Sequence, residues 1–304
     1  KNVMSRLRRL VDDCGFEKLA DLDRAVLESW LAHAPSEMSA RTRNGYVAAM
    51  TSFCNWTVRA GRMMANPFAQ FPRANERSDQ RRARRAMTAD ELVRLIEAAR
   101  RRPLAEYGRP VLSFKPKGEK GPRRGSWTYK PVAPANITAC EEQARKRLER
   151  KHPERIDAAE AEGRLRALTY KALTLTGLRL NELRSLTVGQ CELACDEPCA
   201  TLRAADEKAR RGAEIPLRAD LAGDLRAHLE ERLHAAQLAA QRERRPIPAA
   251  LPTSTQLLEI PVGLVKRMDR DLIAAGIATA TYDKASRKWR VEKRDAQDRG
   301  LDVH

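Results

Sequence analysis

Residues 176–186 have the types and the spacing that could hold a phosphate group. The apolar stretch 167–175 predicts a helix, and Gly177 is a natural end for it because glycine adopts positive φ without a steric penalty. Arg179 follows at once, and a second helix is predicted to start around Glu182. A guanidinium held between two packed helices can bind a phosphate through two parallel hydrogen bonds. The alternative is an ordinary, solvated arginine at a helix start.

Lys208 lies on a second stretch that could do chemistry, a predicted β-hairpin. Residues 201–202 and 215–217 have strand character, and the stretch 206–212 between them is rich in turn-forming residues. The same turn carries two cations that could hold phosphates, Arg210 and Arg211. All three side chains could instead simply keep an exposed loop soluble.

The stretch 176–186 reads Thr-Gly-Leu-Arg-Leu-Asn-Glu-Leu-Arg-Ser-Leu. It resembles the first catalytic box of the tyrosine recombinases, the phage-integrase family, whose pattern is Thr-Gly-Leu-Arg-x-x-Glu-Leu-x-x-Leu. The resemblance implies cleavage and rejoining of DNA strands through a phosphotyrosyl intermediate, in site-specific recombination or integration of a mobile element, without metal or other cofactor. It implies that Arg179 stabilises phosphate charge and that Lys208, eight residues before Pro216, is the proton donor. Glu182 would orient Arg179 or a neighbouring base; a plain surface carboxylate is the alternative.

His304 resembles the first residue of the family's second box, His-x-x-Arg. In the family a second arginine and the tyrosine nucleophile come after this histidine. All the tyrosines of the chain precede it, so none is assigned as the nucleophile: Tyr46, Tyr107, Tyr129, Tyr170 and Tyr282. The chain also begins at Lys1 without an initiator methionine. We therefore expect this chain to be an internal fragment that binds DNA but forms no covalent adduct. Its catalytic residues, Arg179, Lys208, His304 and Glu182, would act only in a longer protein.

The composition indicates a polyanionic partner. The formal net charge is +17, and arginine outnumbers lysine by about three to one. Guanidinium groups favour bidentate contacts with phosphate and guanine. No apolar run approaches the ~18 residues of a membrane span, and no signal peptide opens the chain. We expect duplex DNA as the partner, no membrane, and a cytoplasmic, nucleoid-associated protein. An RNA-binding helical protein is an alternative that the charge alone would allow, although no RNA-recognition signature is present.

Cysteine usage is compatible with a reducing compartment. Cys191, Cys195 and Cys199 recur every four residues and raise a zinc hypothesis. The chain offers them no C-x-x-C pair, no nearby histidine and no obvious fourth ligand, so we expect no metal.

Residues 1–75 predict a small helical domain. Ser39 is a suitable N-cap for its third helix, whose first turn carries polar side chains that suit a phosphate or a base edge: Arg41, Thr42, Arg43 and Asn44. The stretch 39–44 also resembles the Ser-x-x-Thr-x-Asn of the family's core-binding, SAM-like domain. Residues 76–86 are a basic linker in which Arg84 and Arg85 could follow the DNA backbone, or a solvated tether.

A second domain is predicted over 87–304, opened by a capping box of Thr88 and Glu91. Residues 103–162 look like an insertion, in which we expect a loop over 114–127 and a charged helix over 136–162. The fold class is mainly α with a small antiparallel sheet or hairpin, as a helical core-binding domain plus an α+β catalytic domain. The family works as a homo-tetramer on DNA, which is doubtful for a fragment. A non-catalytic, sequence-specific DNA-binding regulator with an integrase-derived fold is the main alternative function.

Overall fold

The computed structural model describes residues 2–35, 37–81, 83–113, 127–207, 210–283, 288–295 and 297–301. Two compact units divide the chain, Lys1–Ala83 and Arg84–His304. The described residues are mainly α-helical with small sheets, as the sequence predicts.

The first unit packs three helices around one core: α1 (Asn2–Cys14), α2 (Arg24–Ala32) and α3 (Ala40–Arg59). Leu10, Leu27 and Met50 form the centre of that core and are almost fully buried. The predicted N-cap of α3 is confirmed, because the Ser39 hydroxyl accepts a hydrogen bond from the Thr42 N–H. Such a cap satisfies a donor that the first helical turn otherwise leaves without a partner.

The second unit mixes six helices with nine short strands among its described residues. In chain order they are β1 (Arg84–Arg85), α4 (Ala89–Ala105), β2 (Val111–Ser113), β3 (Trp127–Tyr129), α5 (Ile137–Leu148), α6 (Glu154–Thr176), α7 (Leu180–Ser185), β4 (Cys191–Glu192), β5 (Cys199–Leu202), β6 (Ala213–Pro216), α8 (Ala219–Arg242), α9 (Leu264–Ala274), β7 (Thr279–Asp283), β8 (Lys288–Glu292) and β9 (Gly300–Leu301). The capping box at the start of α4 is confirmed: Thr88 and Glu91 exchange hydrogen bonds.

The strands form small sheets. β4, β5 and β6 are an antiparallel sheet in which Leu202 lies opposite Ala213, so the predicted hairpin over 201–217 is confirmed. Strands β2 and β3 form one further antiparallel pair, and β7 and β8 form another. β1 and β9 are parallel, which brings residues 84–85 beside residues 300–301. Six of the described strands were not predicted from the sequence: β1, β2, β3, β4, β7 and β9.

The predicted insertion of 103–162 covers the end of α4, the strands β2 and β3, the helix α5 and the first part of α6, and its extent remains a prediction. Pro103 lies within α4, which ends at Ala105. Helix α6 runs without a break from Glu154 to Thr176, where the stretch 176–186 begins. The helices α4 and α6 pack closely at Gly163, where a Cβ atom would lie 2.0 Å from the Arg100 carbonyl oxygen. Only glycine fits this contact. Most of the predicted loop over 114–127 lies outside the described residues.

Candidate functional site

The helix α6 ends at a glycine, as predicted. Gly177 has φ 68° and its N–H donates to the Leu173 carbonyl oxygen at 3.1 Å. The left-handed residue closes the last turn and turns the chain away from the helix axis. Next, the Thr176 hydroxyl donates to the Ala172 carbonyl and accepts from the Leu178 N–H. These bonds fix the path of the chain from one helix into the next.

Arg179 is the N-cap residue of α7 and projects into solvent, with 63% of its side chain exposed. Glu182, in contrast, is buried, with only 7% of its side chain exposed. One Glu182 oxygen accepts from the Arg179 backbone N–H and the other from Nη1 of the guanidinium, both at 2.8 Å. A buried carboxylate therefore holds both the backbone and the side chain of an outward-facing arginine.

The short helix α7 is held against the core by Leu183 and Leu186, each 1% exposed. The same apolar core contains Leu202 of β5 and Leu217, which follows β6. The elbow at Arg179 and the base of the hairpin are therefore parts of one packed body. The Arg179 guanidinium uses one of its N–H groups to bind Glu182. This leaves it further donors that could bind an anion.

The hairpin turn is shaped by Glu207. Its carboxylate accepts from the backbone N–H groups of Arg211 and Gly212, at 3.1 and 2.9 Å. Arg210 has a left-handed backbone, with φ 55°, and both arginine side chains of the turn are exposed. Lys208 lies outside the described residues, so its convergence with Arg179 on one phosphate remains a prediction. His304 also lies outside them, three residues after the end of β9.

The N-terminal turn of α3 already has an anionic partner within its own unit. The Ala40 N–H donates to the Asp79 carboxylate, so an acidic side chain of the same unit already occupies this helix start. Asn44 is buried: its amide donates to the Ala74 carbonyl and to Glu76, and its oxygen accepts from the Ala74 N–H. This side chain ties residues 74–76 to α3 and has no donor left for a base edge.

The other polar residues of that turn keep more freedom. Arg41 is exposed, whereas the Arg43 Nε donates to the Met38 carbonyl and the Thr42 hydroxyl bonds with Ser39. Arg41 is thus the side chain of this turn with the best access to a ligand.

The two linker arginines also differ. Arg84 is exposed, while Arg85 is only 14% exposed and donates to both Glu91 oxygens at 2.7 Å. Asp295 lies 3.4 Å from its Nε. The Arg85 guanidinium, with a smaller contribution from the Thr88 N–H, lowers the pKa of Glu91 to about 2. Arg85 therefore connects β1 to the start of α4, and we do not propose it as a DNA contact.

The three recurring cysteines lie on or near the small sheet. Cys191 begins β4 and Cys199 begins β5, while Cys195 is exposed in the connection between them. Burial raises the pKa of the Cys191 thiol to about 11, which disfavours the thiolate that zinc requires. Among the described residues no group of three or more histidine, cysteine or acidic side chains could hold a metal ion.

A buried ionic network, which was not predicted from the sequence, connects α4, α6 and α9. The Asp271 carboxylate, with no exposed surface, accepts from Arg102 Nε at 2.5 Å, from Arg166 Nη1 at 3.1 Å and from the Tyr170 hydroxyl at 2.7 Å. Burial, and then the charge of Asp271, raises the pKa of Tyr170. The only signal in the sequence is the presence of charges inside apolar helical stretches, which does not identify their partners.

A cleft of about 690 Å³ also lies against α6, α8 and α9. Its arginines are each paired with a carboxylate of the cleft: Arg164 with Glu231, Arg232 with Glu259 and Arg267 with Glu162. The formal charges of these pairs cancel, so the cleft does not favour an anion. We do not assign a phosphate to it.

Comparisons with known proteins give structural neighbours. No family model and no curated protein matches the chain. Among solved structures, it is similar to the XerH site-specific recombinase bound to palindromic difH substrate in a post-cleavage complex, with 13% identity and a TM-score of 0.45. That match covers 90% of this chain and 61% of the recombinase, so the chain spans less than two thirds of its neighbour's length.

The integrase from mycobacterium phage Brujita is also similar, with 17% identity and a TM-score of 0.22, over 84% of this chain and 68% of the integrase. In the described part of the chain, no helix is both long and apolar enough to cross a membrane.

Proposed function

We propose that this chain provides the DNA-binding and phosphate-activating part of a tyrosine recombinase, which cleaves and rejoins DNA strands in site-specific recombination or integration. One observation carries the proposal: an exposed guanidinium, Arg179, is held at a two-helix elbow by the buried carboxylate of Glu182. The residues of this elbow are those of the family's first catalytic box.

The chemistry of phosphodiester cleavage explains the elbow. Negative charge builds on the non-bridging oxygens of the phosphate in the transition state, and a positive group held in place beforehand stabilises it. Such a group typically contributes about two to three orders of magnitude in rate. Glu182 is a positioning residue in this proposal, since it bonds Arg179 and is itself buried. Lys208 is proposed as the proton donor to the leaving 5′ oxygen, and His304 as a further phosphate ligand.

Duplex DNA is the proposed partner. The net charge of +17 favours a polyanion, and exposed arginines on separate elements can neutralise backbone phosphates: Arg41, Arg84, Arg210 and Arg211. Thr42 and Arg43 would support Arg41 at the first turn of α3. A cytoplasmic location on the nucleoid and a homo-tetramer on DNA in the longer protein belong to the same proposal.

The nucleophile is not proposed among the described tyrosines. Tyr170 is buried and donates its proton to Asp271, and its pKa is raised, so it is a poor nucleophile. Tyr46 is also buried, beside Trp30. We propose that a protein continuing past His304 supplies the attacking hydroxyl.

Two experiments test the function. The chain should bind duplex DNA with log affinity falling by about 0.9 per neutralised phosphate as log salt rises, and duplex DNA should compete better than structured RNA. A flat salt response would contradict the DNA-binding proposal.

The second experiment uses a nicked suicide duplex that traps a phosphotyrosyl adduct. We expect no adduct with the 304-residue chain and an adduct with a protein that continues past His304. Arg179→Ala in the longer protein should remove the adduct but keep most of the DNA affinity, while Arg226→Ala, an exposed arginine of α8, should keep both. Binding without any adduct in the longer protein would favour the non-catalytic regulator.

A further inference from the structure

The chain between α4 and α6 carries an exposed surface of aromatic and basic side chains, here called the ribbon-base patch. It consists of four exposed residues, Tyr107, Tyr129, Lys130 and Arg147, and of the half-buried Arg109. The tyrosines are 44% and 42% exposed. They lie beside and within the pair β2–β3, in the part of the chain to which the family resemblance assigns no function.

Direct contacts show that these residues form one surface. The Arg109 guanidinium carbon lies 5.0 Å from the centroid of the Tyr129 ring, in cation–π geometry. Arg147 Nη1 donates to the Tyr107 carbonyl oxygen at 3.1 Å, and the Lys130 N–H donates to the Pro110 carbonyl oxygen at 3.1 Å. A helix (α5), a strand end and a turn thus converge there.

The charge of the patch comes from its three basic side chains. Within the described residues, no carboxylate pairs with Arg109, Lys130 or Arg147. Two acidic side chains of the same stretch of chain are bound elsewhere, since Glu141 pairs with Arg101 and Glu106 pairs with Arg102. Burial raises the pKa of the Cys140 thiol, and the positive charges of Arg109 and Arg147 partly lower it again. Three positive charges therefore remain available in a small area.

We propose that the ribbon-base patch is an accessory DNA-contact surface that binds backbone phosphates outside the elbow site. Arg109, Lys130 and Arg147 pair with phosphates, while the two tyrosines contact sugar edges and can donate hydrogen bonds to phosphate oxygens. Such contacts position a protein on DNA without reading its sequence. The inference rests on the proposed DNA-binding function and extends the DNA surface that the chain covers.

A charge-matched pair of variants tests the patch. Arg109→Ala, Lys130→Ala and Arg147→Ala together remove three positive charges from it. The control, Arg226→Ala, Arg242→Ala and Lys266→Ala, removes three from exposed positions on α8 and α9. Affinity for a random-sequence duplex is measured by fluorescence anisotropy from 50 to 300 mM salt. Circular dichroism melting checks that both variants fold.

In the patch variant, log affinity should fall less steeply with log salt. The magnitude of the slope should decrease by up to about 2.7, or about 0.9 for each of three phosphates. The control should keep the wild-type slope. Equal slopes for both variants and the wild type would overturn the patch while leaving DNA binding intact. A wild-type chain that binds no duplex at any salt would refute the proposed function itself. If the patch variant instead loses self-association in sedimentation and keeps its DNA slope, the surface binds protein and the inference is wrong.

Discussion

Replacing Asp271 by asparagine should strongly destabilise the second unit. The Asp271 carboxylate is the shared anionic partner of two buried arginines, Arg102 and Arg166, which are 3% and 4% exposed. An asparagine fills nearly the same space but carries no charge. Two guanidinium groups would then remain in an apolar interior with less compensation, and the Tyr170 hydroxyl would lose a charged acceptor.

The size of the effect follows from the burial. Removing one partner of a buried ion pair typically costs about 3–5 kcal/mol, because the charge left behind is desolvated without a partner. Glu106 and Glu162 still contact Arg102 and Arg166, so the loss should lie at the lower end of that range. The control is an exposed ion pair that involves α6, the helix of Arg166. Glu160→Gln breaks the ion pair of Glu160 with Arg145 and should cost less than about 1 kcal/mol.

Hydrogen exchange of the α6 amides measures the loss within the second unit. A cost of about 3 kcal/mol should speed exchange of the slowest amides by about two orders of magnitude, because each 1.4 kcal/mol is tenfold. Asp271→Asn combined with Arg102→Met and Arg166→Met should recover part of the protection, since the uncompensated cations are gone. Unchanged exchange in Asp271→Asn, or further loss in the triple variant, would refute the reasoning.

Two further predictions concern local structure. The folded pKa of Glu91, about 2 against an ordinary 4.5, means that this group stabilises the fold fully above about pH 4.5 and loses its contribution as pH falls towards 2. Glu91→Gln should therefore flatten the acid dependence of the melting temperature in that window, and an unchanged profile would contradict the assignment. Gly177→Ala should cost about 1–2 kcal/mol because of its positive φ, whereas Gly223→Ala, in open space on α8, should raise stability in the same urea titration.

Features that depend on neighbours in sequence were predictable. The Gly177 stop, the Ser39 cap and the Thr88–Glu91 box each follow from a few adjacent residues, and all are confirmed. The hairpin over 201–217 was predictable for the same reason, because turn residues separate two short apolar runs. Local rules of this kind place Arg179 at its elbow without any knowledge of the tertiary structure.

Features that depend on distant residues were not predictable. Asp271 lies 105 and 169 residues from its two arginines, and no local pattern links them. The end of α4 also depends on tertiary packing, because the helix continues past Pro103 to Ala105, where Leu104 and Ala105 are buried.

The arginines illustrate how tertiary structure separates residues that look alike in a basic sequence. Arg102 and Arg166 are buried with carboxylates, and Arg85 is fixed to Glu91, so their charges hold the fold together. Arg179 also has a carboxylate partner, yet 63% of it is exposed, because Glu182 and not the arginine is the buried member of the pair. This asymmetry leaves the Arg179 guanidinium accessible to an external anion, whereas an arginine that is buried in its ion pair is not accessible. Net charge alone cannot make that distinction, since every one of these arginines contributes equally to the +17.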